Sequence, residues 1–150
     1  MLNFEKKIIE KALNKQLNIE FLASYTYLSM STFFESCSLT GLAKWLREQS
    51  QEEMAHVMRY YNFIFDRNGM VVFDTIPKPS TPWKSPLDVF KAALKHEESV
   101  TKSTHQLLEL ATKEKDHACV SFLQWFVNEQ VEEEASIRRI LDKLHILQFD

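Results

Sequence analysis

Four stretches of the chain set acidic or nitrogen-bearing side chains inside otherwise apolar helical stripes: Glu20, the pair Glu53 and His56, Glu97, and the group Glu129, Gln130 and Glu133. A carboxylate withdrawn from water costs free energy unless a positive partner neutralises it. Lys and Arg are scarce on these faces, which makes a metal ion the simplest partner. Carboxylates can bridge two cations, and one His adds a nitrogen ligand without adding negative charge. An oxygen-rich set with few His and no Cys suits iron or manganese better than soft metals. Two ferrous ions held close together can pass electrons to one O2.

The spacings bring these groups inward. Glu20 lies three residues after Leu17 and seven after Leu13, and Tyr27 follows it by about two turns on the same face. Glu53 and His56 are three apart, so both reach one point. Glu97 follows Leu94 by three and Phe90 by seven. Gln130 and Glu133 repeat the three-residue step, with Glu129 beside them and Glu132 at the stripe's edge. Singly, each has a plainer reading. A lone Glu in a stripe is usually a boundary residue, Glu132 to Glu134 resembles a solvated acidic face, and Tyr27 fits an ordinary core aromatic. An inward oxygen ligand on each of four helices is what surface charge does not produce by chance.

The elements that must carry these residues follow from periodicity. A first helix is expected from about Asn3 to Glu35, with Leu13, Leu17, Phe21, Ser24 and Leu28 on one face. A second runs from about Leu39 to Arg67 on a stripe of Leu42, Trp45, Leu46, Val57, Tyr60, Phe63 and Ile64, and Asn68-Gly69 stops it. Val71 to Phe73 has an extended pattern, suited to pairing with another subunit as a lone strand. All four prolines then fall between Thr75 and Pro86, a connection long enough to cross the length of a bundle. Ser85-Pro86-Leu87-Asp88 starts a third helix, with Phe90, Leu94, Thr101 and Leu108 on its face. After a turn near Lys115-Asp116, a fourth helix ends near Leu147, with Cys119, Phe122, Phe126, Ile137, Ile140, Leu141 and Leu144 inside. The expected fold is an all-α four-helix bundle with a long crossover between helices two and three, in a single domain spanning residues 1–150.

Bulk composition agrees. The chain has only 2 Gly and 4 Pro in 150 residues, which favours long helices over tight turns. A net charge of −3, from 18 basic and 21 acidic residues, suggests neither a nucleic-acid nor a membrane-surface partner. Cys37 and Cys119 lack metal-site spacing and read as free thiols of a reducing compartment. With no membrane-length apolar run and no signal-type N-terminus, a cytoplasmic protein is expected.

Four words carry a family resemblance: Asn18-Ile-Glu20, Gln51-Glu-Glu-Met-Ala-His56, Lys95-His-Glu97, and Leu123-Gln-Trp-Phe-Val-Asn-Glu-Gln-Val-Glu-Glu-Glu134. In order and spacing the chain closely resembles the bacterial-type non-haem ferritins over nearly its whole length. The resemblance implies an iron-storage ferroxidase that oxidises Fe(II) with O2 or H2O2 and deposits ferric oxyhydroxide inside a homo-oligomeric cage of twenty-four subunits. It implies that Glu20, Glu53 and His56 bind a first iron. Glu53 would bridge to a second, held by Glu97 and Glu133 with Gln130 close by. Glu52, Glu129 and Glu132 match a third iron site, and Tyr27 matches a tyrosine that touches the centre and can supply an electron.

Bacterioferritin is the relative most easily confused with this pattern, but its fourth helix carries a second Glu-x-x-His where this chain has Gln130 and Glu133. Met54 falls at the haem-ligating position of that group; non-haem relatives carry Met there too, and no haem is expected. Family members continue into a short fifth helix lining the four-fold channel, whereas this sequence runs only to Asp150. That helix is expected to be absent, either by shortening or by nature, which leaves cage closure open. Glu114, Asp116 and His117 sit where family entry channels form and read more simply as a solvated loop. A di-iron enzyme acting on an organic substrate is the alternative function, and a non-enzymatic binding bundle is a third.

Overall fold

Apolar residues recurring every three or four positions, with almost no helix breakers, wind into helices α1 (Lys7–Ser36), α2 (Thr40–Asp66), α3 (Pro86–Lys113) and α4 (His117–Ile146). The computed structural model describes residues 6–147, and they contain no strand. The expected helix start at Asn3 and the last three residues lie outside the described residues. No helix is long and apolar enough to cross a membrane among the described residues. The chain divides into two compact units, Met1–Thr81 and Pro82–Asp150.

In the first unit α1 packs along α2. The buried face of α1 includes Ile9, Leu13, Leu17, Ala23, Tyr27, Met30 and Phe34, and that of α2 Ala43, Leu46, Val57, Tyr60 and Ile64. Fully burying one Leu, Ile or Phe is worth roughly 1.5–3 kcal/mol, so these stripes can offset the polar groups buried among them. Ser24 and Ser50 lock the pair: each hydroxyl donates to the other's carbonyl oxygen, at 2.8 and 2.7 Å. Leu28, expected inside, is 49% exposed. It lines a groove of about 500 Å³ together with Phe21, Ser24, Tyr25, Met54 and Ile76.

The run after Gly69, expected as a lone strand, finds partners for its backbone on α1. Glu10, Asn14 and Asn18, four apart on α1, hold its backbone at every second residue. Glu10 accepts the Met70 N–H at 2.9 Å. Asn14 donates to the Met70 carbonyl and accepts the Val72 N–H, at 2.9 and 2.7 Å. Asn18 donates to the Val72 carbonyl and accepts the Asp74 N–H, both at 2.9 Å. The match is geometric, since four helical residues rise about 6 Å and two extended residues about 6.6 Å.

In the second unit α3 packs along α4. Its start follows the sequence reading: the Ser85 hydroxyl accepts the Asp88 N–H at 3.0 Å, Pro86 opens the helix, and Asp88 accepts the Lys84 N–H at 3.1 Å. Asp116 caps α4 by accepting the Cys119 N–H at 3.1 Å and is buried, so it belongs to a helix cap rather than to the expected solvated loop. The buried face of α3 is offset from the expected one. Phe90 is inside, but Leu94, Thr101 and Leu108 are half-buried, while Ala93, Glu97, Val100, Thr104, Leu107 and Ala111 are fully buried. Small and polar residues occupy the inner positions there, so a stripe drawn through the largest apolar side chains lands beside the true one.

The first three helices end alike. Ser38, Asn68 and Lys115 take left-handed φ values of 60°, 61° and 56°. The N–H of the next residue then bonds the carbonyl five back: Leu39 to Phe34, Gly69 to Ile64 and Asp116 to Ala111. The left-handed residue of the Asn68-Gly69 stop is therefore Asn68, which tolerates that conformation better than most non-glycine residues.

Candidate metal centre

The Ser24–Ser50 lock fixes the register of α1 against α2 beside the first acidic cluster, because Glu20 is one turn before Ser24 and Glu53 one turn after Ser50. Glu20, Glu53 and His56 come together there, 0%, 1% and 3% exposed. His56 Nδ1 lies 3.1 Å from Glu53 Oε2 and 3.7 Å from Glu20 Oε2. One ligand atom from each of the three lies within 4.8 Å of the other two. Two carboxylates this close repel each other and pay heavily for desolvation, so a cation between them relieves both costs. Three donors, two of them oxygen and one nitrogen, fit a hard or borderline dication such as Fe(II). Of the cysteines, Cys37 is exposed just after α1 and Cys119 is buried in the first turn of α4.

In the second unit Glu97 is 0% exposed on α3, and Gln130 2% exposed on α4. The Gln130 Nε2 donates toward Glu97 Oε2 at 3.0 Å, the Glu97 carbonyl at 3.2 Å and Thr101 Oγ1 at 3.1 Å. The Thr101 hydroxyl donates to Glu134 Oε2, and Glu134 Oε1 accepts from Arg138 Nη2 at 2.6 Å. Glu133, one turn after Gln130 on α4, is 5% exposed.

All six residues of the expected di-iron set are therefore buried, and two clusters are formed within the units: Glu20 with Glu53 and His56, and Glu97 with Gln130. Tyr27 is buried at 1% on the Glu20 face of α1. The residues matched to a third iron site are more open, with Glu52 and Glu132 exposed and Glu129 half-buried. Met54, at the haem-ligand position of bacterioferritin, is 37% exposed on the groove beside Leu28. Sequence reasoning missed the supporting contacts of Ser50, Thr101 and Glu134, although it set Thr101 on the face of α3. Glu134 was hidden inside a run of three acidic residues that looks solvated, and its only signal was Arg138 four residues on.

Residues 10–147 match the model of the ferritin-like domain. The chain is 42% identical over 136 residues to a bacterial non-heme ferritin of Bacteroides fragilis, covering 91% of this chain and 86% of that one. It is 40% identical over 139 residues to a bacterial non-heme ferritin of Staphylococcus haemolyticus, covering 93% and 84%. Among solved structures, a novel open pore ferritin of the archaeon Archaeoglobus fulgidus matches with a TM-score of 0.93 at 43% identity, covering 95% of this chain and 87% of that one. This likeness makes the fold an all-α four-helix bundle.

Proposed function

The chain belongs to the ferritin family, and from that premise we propose that it is an iron-storage ferroxidase. The observation that carries the reading is the buried trio of Glu20, Glu53 and His56, an iron-suited donor set. We infer that both units form one ferritin-like domain, and that this trio and the Glu97, Gln130 and Glu133 group serve one di-iron centre. The likeness to ferritins along nearly the whole chain supports this inference.

In this reading Fe(II) is the substrate. Glu20 and His56 hold the first ion, Glu53 bridges, and Glu97 and Glu133 hold the second, with Gln130 beside them. Two ions give one electron each to O2, which takes up two protons and leaves as hydrogen peroxide; hydrogen peroxide is the alternative oxidant. The chain's residues bind and orient the ions, keep bulk water away and cancel their charge. His56 must release any proton on Nδ1 and its contact with Glu53 before that nitrogen can bind a metal. Tyr27, buried on the Glu20 face of α1, is the redox-capable neighbour of the centre in this reading and would supply the second electron to O2 when only one Fe(II) is bound. Glu52, Glu129 and Glu132 form the third iron site, whose exposure suits ions in transit. The ferric product is stored as mineral inside a homo-oligomeric cage of twenty-four subunits in the cytoplasm.

Loading the protein anaerobically with two Fe(II) per chain, then mixing with O2 while following ferric absorbance and particle size, tests this. Rapid oxidation in a large particle that keeps iron in solution is expected. Oxidation no faster than in protein-free buffer would overturn the ferroxidase reading, and rapid oxidation with precipitation from a small particle would overturn storage alone.

A further inference from the structure

The orientation of the Gln130 amide is fixed from the protein surface inward. Its neighbours on one side are the Glu97 carboxylate, the Glu97 carbonyl and the Thr101 hydroxyl oxygen. The first two only accept. The Thr101 hydroxyl has one proton, and that proton is directed at Glu134 Oε2, so toward Gln130 it presents a lone pair. Glu134 is held in turn by Arg138, and the exposures rise outward from 14% for the Glu134 side chain to 53% for that of Arg138. Only the NH2 end of Gln130 can face these acceptors, its two protons shared among the three, so its amide oxygen faces away from them.

We propose that Thr101 and Glu134, braced by Arg138, are positioning residues for the second metal. They fix the Gln130 amide against Glu97 Oε2 and so hold the Glu97 carboxylate in one orientation for the ion. The proposal rests on the ferroxidase reading for the identity of the ion, but not for its test. Without the Thr101 hydroxyl, Gln130 loses one of its three anchors, and rotation of its amide would set oxygen against oxygen at Glu97. A neutral hydrogen bond of this kind is worth about 0.5–1.5 kcal/mol. The expected cost is about a three- to tenfold weaker second metal, with the first unaffected.

Co(II) titration followed by its visible absorption measures the two binding steps without any oxidation. Thr101→Val keeps the side chain's shape and should weaken only the second step, whereas Thr101→Ser should restore it. Glu134→Ala, near the surface, should give the same selective loss and stands in should Thr101→Val not fold. Unchanged or tighter second-site binding in the variants would overturn the relay. So would equal weakening of both steps, which is the mark of a general structural role. If the wild type takes up two Co(II) but fails to oxidise Fe(II), the ferroxidase reading falls and the relay stands on its binding data. If it takes up no second Co(II), both fall.

Discussion

The two units position their buried carboxylates by opposite means. In the first, Glu53 is met by His56, a residue that can itself bind metal. In the second, Glu97 is met by the Gln130 amide, which Thr101, Glu134 and Arg138 steady from behind. A ligand positioned by another ligand must change partners when an ion arrives, and damage to either spreads to both. A ligand positioned by bystanders keeps its brace on binding and can be weakened by degrees. The difference predicts a brittle first site and a tunable second one.

The largest effect should come from the brittle side. Glu53→Ala removes the proposed bridge and the partner of His56 together. Stopped-flow absorbance at two Fe(II) per chain should show oxidation slowed by more than the roughly 10–100-fold that loss of a supporting residue costs. Ferrous oxidation at the normal rate would end the comparison. Next comes Glu97→Gln, which keeps an oxygen for Gln130 to bond but deletes the charge. Calorimetric titration with Zn(II) should show the first binding step kept and the second reduced about 10–100-fold. A parallel loss of both steps would mean that the second site is no more separable than the first.

These effects bear on residues the sequence revealed and on others it concealed. Glu20, Glu53, His56, Glu97, Gln130 and Glu133 were legible because an ionisable or amide group at an inward helical position breaks the apolar period. Leu28 was misplaced by the same rule, since an apolar side chain on a stripe scores as core whether a neighbour covers it or not. The Val71–Phe73 run reads as a strand in the sequence because extended periodicity looks the same whether a sheet or a helix supplies the hydrogen bonds. Asn14 and Asn18 gave no warning, as amides on a helix are common. Thr101 and Glu134 matter through hydrogen bonds between α3 and α4, and no spacing within either helix encodes those.

A smaller effect tests the scaffold of the first unit. Asn14→Ala deletes a side chain that bonds both Met70 and Val72. It should lower stability by about 1–3 kcal/mol in urea unfolding and hasten proteolysis near residues 70–76. Unchanged protection would show that the segment is held by its other contacts. The smallest effect is a gain in the second unit. Lys115 has a φ of 56°, where a side chain is strained and glycine is not. Lys115→Gly should therefore raise stability by about 0.5–1 kcal/mol, read as a higher urea midpoint. A lower midpoint would mean that the lysine side chain contributes more than its backbone strain costs.

The ladder of Glu10, Asn14 and Asn18 grips Met70, Val72 and Asp74 by their main chain alone. Recognition of that sort is indifferent to the letter at each position, because every residue but proline offers the same N–H and carbonyl. Met70 and Val72, 52% and 61% exposed, are therefore positions where the protein can change its surface without changing its path. An engineer could write a new recognition sequence across them, and a lineage could drift there, with only proline forbidden.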